Sequence, residues 1–446
     1  MPEYIEEAEV SQLDFPWDSF LSQLITYTES QTEAPTPYAL VNGLCALATV
    51  APADLLIENL PGGPFKPLLW GMSIGRPRVE RKTTSLRVTQ RLLFDARPDR
   101  MGNDPFTAAA LVKGLESRPI VGFWFREYGA FMDRIANVAS AADLQSILLD
   151  LFDAPDPFTK ELKAKTYTIY GTRVSMCGAV NPGLIEQHST EADHRSGWFG
   201  RWGPIIWSKR ERTLDDEVPP DPERRQWLCD WLSGQANDPI GRCEGLTPAA
   251  MTLWKEWNHD LDFEMAKSNS EAYIALTSGT PTCTIKMALL MAYDFGPARQ
   301  GSPWRIDEDI VARAIAIGNM HHRSAVMVSE RCHSSRDMQE YHKVLRCVSA
   351  DPNAPTSYMD ILQGCALMKK RVDDLLETAK ERGEVAPQSI RGKPNFYRLD
   401  PETHQPYEPD CLPTGARDLV NSAELALLPT PNDYCEEEDD RYDETA

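Results

Sequence analysis

The sequence predicts an α/β protein: a domain wound around a largely parallel sheet, then a helical domain, then a small C-terminal helix-turn-helix with a two-stranded wing. Three observations predict it. Between about Ala51 and Ser208, apolar runs of strand length alternate with helix-period segments, the pattern of strands joined by crossover helices. After the charged, proline-rich stretch TLDDEVPPDPE (Thr213 to Glu223) the chain reads as helix upon helix. From Thr356 to Leu399 it reads as helix, tight connection, helix and alternating hairpin. The expected division is a helical lead-in over 1–50, an α/β core over 51–212, a helical domain over 213–350, a winged-helix domain over 351–402 and an acidic tail over 403–446.

The elements follow in order. Trp17 to Tyr27 is amphipathic, and Tyr38 to Val50 is an apolar helix-like stretch. In Leu55 to Met72, LLIENLPGGPFKPLLWGM, short apolar segments flank the breaker Pro61-Gly62-Gly63-Pro64, and a strand pair is expected. Gly75 to Ser85 is a basic loop leading into a helix through Leu86 to Leu93, and Phe106 to Leu115 is a further helix. Ile120 to Phe125 (IVGFWF) is a buried strand, a helix pair follows, Tyr167 to Val180 supplies one or two strands, and Pro204 to Trp207 another. The later helices are expected over Arg224 to Ser233, Pro248 to Met265, Cys283 to Tyr293 and Ile306 to Val328.

Composition narrows the function. A chain of 446 residues with 42% hydrophobic and 25% charged content is long and apolar enough for two or three cores. No apolar run approaches the roughly 20 residues that span a bilayer, and the start MPEYIEEAEV is acidic where a secretory leader is basic and then apolar. A cytoplasmic protein without membrane attachment is expected. Ten cysteines lie between Cys45 and Cys435 with no C-x-x-C pair, so reduced thiols are expected rather than a zinc ribbon or a redox dithiol. The net charge of −21 excludes a chain that coats DNA by bulk electrostatics; any DNA contact needs a local cationic patch. The tail NDYCEEEDDRYDETA (Asn432 to Ala446) is expected to be disordered, serving solubility or competing for a basic partner surface.

In the C-terminal segment, Ser357 to Gly364 and Ala366 to Arg382 have helix-turn-helix spacing. Leu367, Val372, Leu375, Leu376 and Ala379 can face a core, while Lys369, Lys370 and Arg371 fall in the first turns, where a recognition helix meets a groove. Gly383 ends the helix, and EVAPQSIRGKPNFYRLD turns at Arg391-Gly392-Lys393 as a wing does. DNA contact by Lys369, Lys370, Arg371, Arg391 and Lys393 is one expectation. A partner-docking wing is the other.

The segment LLWGMSIGRPRVERKTTS (Leu68 to Ser85) reads as strand, loop and helix beginning at Lys-Thr-Thr. A phosphate loop needs that order: N–H groups at a helix start cradle phosphate, the lysine neutralises its oxygens, and the first hydroxyl ligates Mg²⁺. Lys82 and Thr83 are typed for this. Arg81 stands where the motif has glycine, and Gly75 is one residue further from the lysine than G-x-x-x-x-G-K allows; a missing glycine restricts positive φ. A basic surface loop before a helix is the competing reading. The strand IVGFWF ends in Arg126-Glu127, placing Glu127 where an acidic residue orients water, but with Arg126 in the usual aspartate position. The strand Arg173 to Val180 ends in Asn181-Pro182, where a polar side chain can sense a γ-phosphate, and HRSGWFGRW sets Arg201 where it could reach a neighbouring subunit.

His321-His322 point about 100° apart on a helix and have no carboxylate at i+4, so they are expected in core or surface roles, not as metal ligands. Cys332-His333 with His342 and Cys347 match no zinc module. The tryptophans from Trp198 to Trp257 are expected in packing rather than base stacking.

Taken in order, these pieces resemble a family. From about Phe15 to Leu399 the chain is similar to the RecA-like P-loop helicase/ATPase domain of phages, plasmids and integrated mobile elements, often fused or adjacent to a primase-polymerase. The matching pieces are TEAPTPYALVNGLCALATV as a helical lead-in, GRPRVERKTTS as a variant phosphate loop, WFREYGAF as a strand end, GAVNP as a sensor and SGWFGRW as an arginine motif, followed by helices and a winged helix. The resemblance implies that arginine is tolerated at position 81. It further implies that Gly75, Arg81, Lys82, Thr83 and Thr84 hold ATP, with Mg²⁺ on Thr83. Glu127 would orient water, Asn181 would sense the γ-phosphate and Arg201 would act in trans. The implied activity is an ATP-dependent DNA-processing motor or switch, a ring or filament of identical subunits on single-stranded or replication-fork DNA, with a primase as possible partner. A non-hydrolysing DNA-binding or replication-initiation factor with a degenerate site is the alternative, and a protein-only adaptor a third.

Overall fold

The computed structural model describes residues 4–60, 64–103, 107–137, 142–162, 165–188, 197–213, 221–234, 242–268, 270–296, 298, 303–329, 336–365, 367–390, 392–399 and 405–406. The chain divides into two compact units, Met1–Ser334 and Ser335–Ala446.

The first unit is α/β. Its central sheet has four parallel strands, β1 (Trp70–Ile74), β2 (Ile120–Phe125), β5 (Arg173–Val180) and β6 (Ile205–Trp207), in the order β2-β5-β1-β6. Between β2 and β5 the chain forms a separate antiparallel hairpin of β3 (Phe158–Leu162) and β4 (Lys165–Ile169). Every residue of the four parallel strands is buried, as expected where helices cover both faces.

The pleat sorts side chains between two cores. Trp70, Met72 and Ile74 of β1 and Val121, Phe123 and Phe125 of β2 join one core with α5 (Ala108–Ser117), α6 (Tyr128–Asn137) and α7 (Ala142–Phe152). Trp124, Cys177, Ala179 and Ile206 face the other, built with α2 (Phe20–Gln31), α3 (Thr36–Val50) and α4 (Lys82–Ala96). The short α1 (Glu7–Ser11) comes first in the chain. All of α3 is buried, which is why it is apolar on every side instead of on one stripe. It lies close against β1: a Cβ at Gly71 would stand 2.5 Å from Cys45 Sγ.

The strand pair expected across Leu55 to Met72 reduces to a bridge between Ile57 and Phe65 ahead of β1. Pro64 and Pro67 cannot donate to a ladder. The helices Pro222–Gly234, Pro248–Lys267, Glu271–Thr277, Thr280–Phe295 and Glu308–Ser329 follow, with a parallel pair of short strands, β7 (Cys243–Leu246) and β8 (Trp304–Ile306), among them. They complete the same unit rather than standing apart. Ile205 N–H donates to His321 Nδ1 (3.0 Å) and Trp207 N–H to Ser324 Oγ (3.0 Å), so Glu308–Ser329 satisfies the exposed edge of β6. His321 is therefore a buried structural acceptor. Among the described residues no group of three His, Cys, Asp or Glu could hold a metal, and Cys332 and His333 lie outside them. Trp198, Trp202, Trp207 and Trp231 are buried in packing. Among the described residues no helix is long and apolar enough to cross a membrane.

The second unit has helices Arg336–Arg346, Tyr358–Cys365 and Lys369–Glu381 and a three-stranded antiparallel sheet, β9 (Thr356–Ser357), β10 (Val385–Ile390) and β11 (Lys393–Arg398), in the order β10-β11-β9. Its core gathers Tyr341, Val344, Ile361, Val372, Leu376, Ala379, Val385 and Phe396. Gly383 has φ +68°, and Glu384 N–H returns to Ala379 O at 2.9 Å, the backbone closure that a glycine in the left-handed region permits at a helix end. The acidic tail from Asn432 lies outside the described residues.

Candidate functional site

Parallel strands place all their C-terminal ends on one edge, where the loops of an α/β sheet converge. Gly75 follows β1, Arg126-Glu127 follows β2, and Asn181 follows β5. Ile74 pairs with Val180, and Gly75 N–H donates to Val180 O at 3.1 Å. The phosphate-loop candidate thus lies beside the Asn181 turn, and β2 lies on the far side of β5.

The loop from Gly75 to Arg81 is held from within. Glu80 is only 2% exposed; its carboxylate accepts the Arg76 N–H at 2.5 Å and the Arg76 guanidinium at 2.9 Å. The Tyr38 hydroxyl, on α3, is within hydrogen-bond reach of Ile74 O and of Ser208 O (2.8 Å). Burial, with Glu80 adding to it, holds the Tyr38 phenol well above its usual range. At Gly75 a Cβ would come within 2.7 Å of the Tyr38 oxygen and 3.0 Å of Glu80 Cβ, so glycine is needed there for close approach. None of Tyr38, Arg76 and Glu80 was flagged by the sequence. Arg76 and Glu80 carry a weak signal, opposite charges four residues apart, but in a loop that spacing predicts no contact.

Arg81 resolves the missing glycine. It adopts φ +50°, ψ +23° immediately before α4, the left-handed conformation that glycine occupies without cost and an L-residue at ~1–2 kcal/mol. A backbone conformation that favours glycine is thus held here by an arginine. No side chain caps α4, so its first turn presents backbone N–H groups and the positive end of the helix dipole. Lys82 is the first residue of that turn and is 5% exposed. Burial pushes its ammonium pKa down; the nearby charges of Glu127 and Glu80 push it back up. Thr83 is half-buried, its hydroxyl 3.5 Å from Arg126 O, and Thr84 is exposed. Arg126 extends away to donate to Gln90 Oε1 at 3.1 Å, and Glu127 is exposed.

The structure thus brings Gly75, Arg81, Lys82, Thr83, Glu127 and Asn181 to one edge of the sheet. Asn181 is partly committed there, its Oδ1 accepting Gly183 N–H (3.2 Å) at the start of α8 (Pro182–His188). Arg201 is elsewhere. It sits just before β6, at the opposite edge, bound to Asp153 (3.2 Å) and Gly197 O (3.1 Å) with its guanidinium 5.8 Å from the Phe152 ring centre. Within one chain it is not part of the Lys82 site.

In the second unit Lys369 and Lys370 are exposed in the first turn of Lys369–Glu381, and Lys393 is exposed where β11 begins. Arg371 is half-buried and paired with Glu340 at 2.6 Å. Arg391 lies outside the described residues. The same helix carries Asp373, Asp374, Glu377 and Glu381, which cancel its four basic residues, and Tyr358 hydroxyl donates to Asp373 at 2.6 Å. Exposed lysines thus stand at the helix start and where the hairpin returns, and Lys343 and Arg346 are exposed on Arg336–Arg346 as well. No protein-family model matches the chain and no curated protein matches it.

Proposed function

We propose that the first unit is a RecA-like P-loop ATPase core and the second a winged helix, together forming an ATP-dependent DNA-processing motor or switch. The observation that carries the reading is Arg81 in the left-handed conformation directly before Lys82 and Thr83 at an uncapped helix start, with Glu127, just after β2 and one strand beyond β5, close enough to act on the Lys82 charge. That combination fits a phosphate chain: backbone donors, a lysine whose charge a bound anion would favour, a hydroxyl of the type that ligates Mg²⁺, and a carboxylate to orient water. Arg81, Lys82 and Thr84 would complete the phosphate cradle with Gly75, and Thr83 would hold Mg²⁺. Asn181 would sense the γ-phosphate. Arg201 would serve a neighbouring copy, in keeping with its distance from the site of its own chain, and so implies a homo-oligomer. Lys369, Lys370 and Lys393, with Arg371 and Arg391 next to them in sequence, would guide DNA, and a replication protein such as a primase is the partner class.

The test is ATP hydrolysis with and without single-stranded DNA, for wild type and Lys82→Ala. Hydrolysis that DNA stimulates and Lys82→Ala abolishes is expected. Equal rates in both proteins would remove the motor reading. A second reading, a DNA-binding or initiation factor that holds nucleotide without hydrolysing it, is favoured by Arg126 in the aspartate position and by the use of Asn181 as a helix cap. It predicts ATP binding lost in Lys82→Ala with no turnover in either protein.

A further inference from the structure

At the edge of the sheet opposite Lys82, the first unit has a cleft of about 480 Å³ lined by Phe65, Lys66, Phe152, Trp254, Thr282 and Lys286, among others. Its charges are unevenly matched. Lys66 donates to Ala154 O (2.9 Å) and pairs with Asp156 (3.6 Å), while Arg201 pairs with Asp153 (3.2 Å) at the rim. Lys286 has no such partner: among the described residues no carboxylate comes within 4 Å of its Nζ, which instead lies 3.7 Å from the Phe152 ring centre. The residue is 5% exposed and lines the cleft. A cation so far removed from water is costly unless something pairs with it. Thr282 and Lys286 are four residues apart, on one face at the start of Thr280–Phe295. No side chain caps that helix, and its first backbone bond is Cys283 N–H to Gly279 O, so the preceding N–H groups add to the positive potential.

We propose that this cleft binds a small acid with an apolar, planar body, a carboxylate or a phosphate monoester, with the acid group on Lys286 and the body against Phe65, Phe152 and Trp254. Three aromatic rings supply apolar contact area, and Lys286, among the described lining residues the cation without an ion-pair partner, fixes the orientation, the usual division of labour in a small-molecule site. Burial brings the Lys286 amine down to about 7, with Cys283 and Asp153 raising it and Arg201 lowering it. An anion that requires the charged form therefore binds with uptake of a proton, and more weakly as pH rises. The inference does not depend on nucleotide binding at Lys82.

Calorimetric titration of the full chain at pH 6.5 with phenyl phosphate, benzoate and benzyl alcohol tests it. At least one of the acids should bind saturably and the alcohol should not, and which acid binds identifies the head group. Lys286→Met should weaken binding tenfold or more, affinity should fall between pH 6.5 and pH 9, and Lys82→Ala should bind as wild type does. A test without mutation is acetylation by acetic anhydride at pH 7.5, read by mass spectrometry, in which the bound acid should slow modification of Lys286 but not of Lys369. Saturation by neither acid, equal binding to Lys286→Met, loss in Lys82→Ala, or acetylation of Lys286 at an unchanged rate would each overturn the proposal.

Discussion

The Thr83 hydroxyl stands 3.5 Å from the carbonyl oxygen of Arg126, linking the first turn of α4 to the strand end from which Glu127 projects. The consequence is electrostatic. Glu127 is the leading influence that opposes the loss of charge burial imposes on Lys82, so a cation and a carboxylate face one small volume at the sheet edge.

If that volume receives the terminal phosphate, Glu127 acts on water and not on affinity. Glu127→Gln is expected to lower ATP turnover by ~10²-fold or more, the scale of a lost general base, while a non-hydrolysable ATP analogue binds within a few-fold of wild type. Turnover that survives the substitution would exclude Glu127 from the chemistry.

Arg81 holds φ +50° at the start of α4. In Arg81→Gly the backbone strain of ~1–2 kcal/mol is relieved, against ~0.5–1 kcal/mol of extra unfolded-chain entropy. Urea unfolding should therefore show a stability equal to wild type or higher by up to about 1.5 kcal/mol. A clear loss of stability would mean that the arginine side chain itself supports the loop.

His321 sets a pH dependence. It is buried, it accepts Ile205 N–H through Nδ1, and burial takes its pKa from 6.5 down to about 4. The unfolded chain binds this proton more readily than the folded one, so the stabilisation is complete above pH 6.5 and is lost as pH falls toward 4, up to about 3 kcal/mol in all. Between pH 7 and pH 5 the stability difference between wild type and His321→Gln should change by about 2 kcal/mol in favour of the variant. A constant difference would show that the imidazole is not excluded from protonation.

The α/β character was legible because β1, β2 and β5 are buried on both faces and read as apolar runs between turn signals. The α4 helix and the sheet-edge positions of Lys82, Glu127 and Asn181 were legible for the same reason: once strands are parallel, their ends converge. The second strand of the hairpin, β4, falls largely within the Tyr167 to Val180 stretch expected to supply one or two strands, whereas β3 was missed because FTKEL is short and half polar. The covering of β6 by Glu308–Ser329 was hidden for a different reason. It runs through His321 Nδ1 and Ser324 Oγ, side-chain acceptors more than 100 residues from the strand they serve, and no periodicity records such a bond. The Arg76–Glu80 clasp is likewise not read from spacing, since both residues lie in a loop and the contact follows from how the fold buries Glu80, a charge that burial obliges to find a partner. Lys286 was passed over because TIKMALLMAY reads as an apolar helix with one lysine, a residue that at a surface would carry no meaning.

The distribution of charge in the second unit yields a last prediction that separates two kinds of cation. Lys369 and Lys370 are exposed and have no carboxylate within 4 Å among the described residues, whereas Arg371 is held by Glu340 at 2.6 Å. If this surface meets DNA phosphates, the double variant Lys369→Ala/Lys370→Ala should weaken binding to all sequences alike and reduce the slope of log affinity against log salt by about 2. Its folding should be unaffected, since exposed lysines contribute little. Arg371→Ala should behave in the opposite way, lowering the thermal midpoint through loss of the Glu340 pair with at most a small change in salt slope. An unchanged slope in the double variant, measured by fluorescence anisotropy at two salt concentrations, would move the DNA contact away from this helix and leave the hairpin turn at Lys393 as the cationic surface to test.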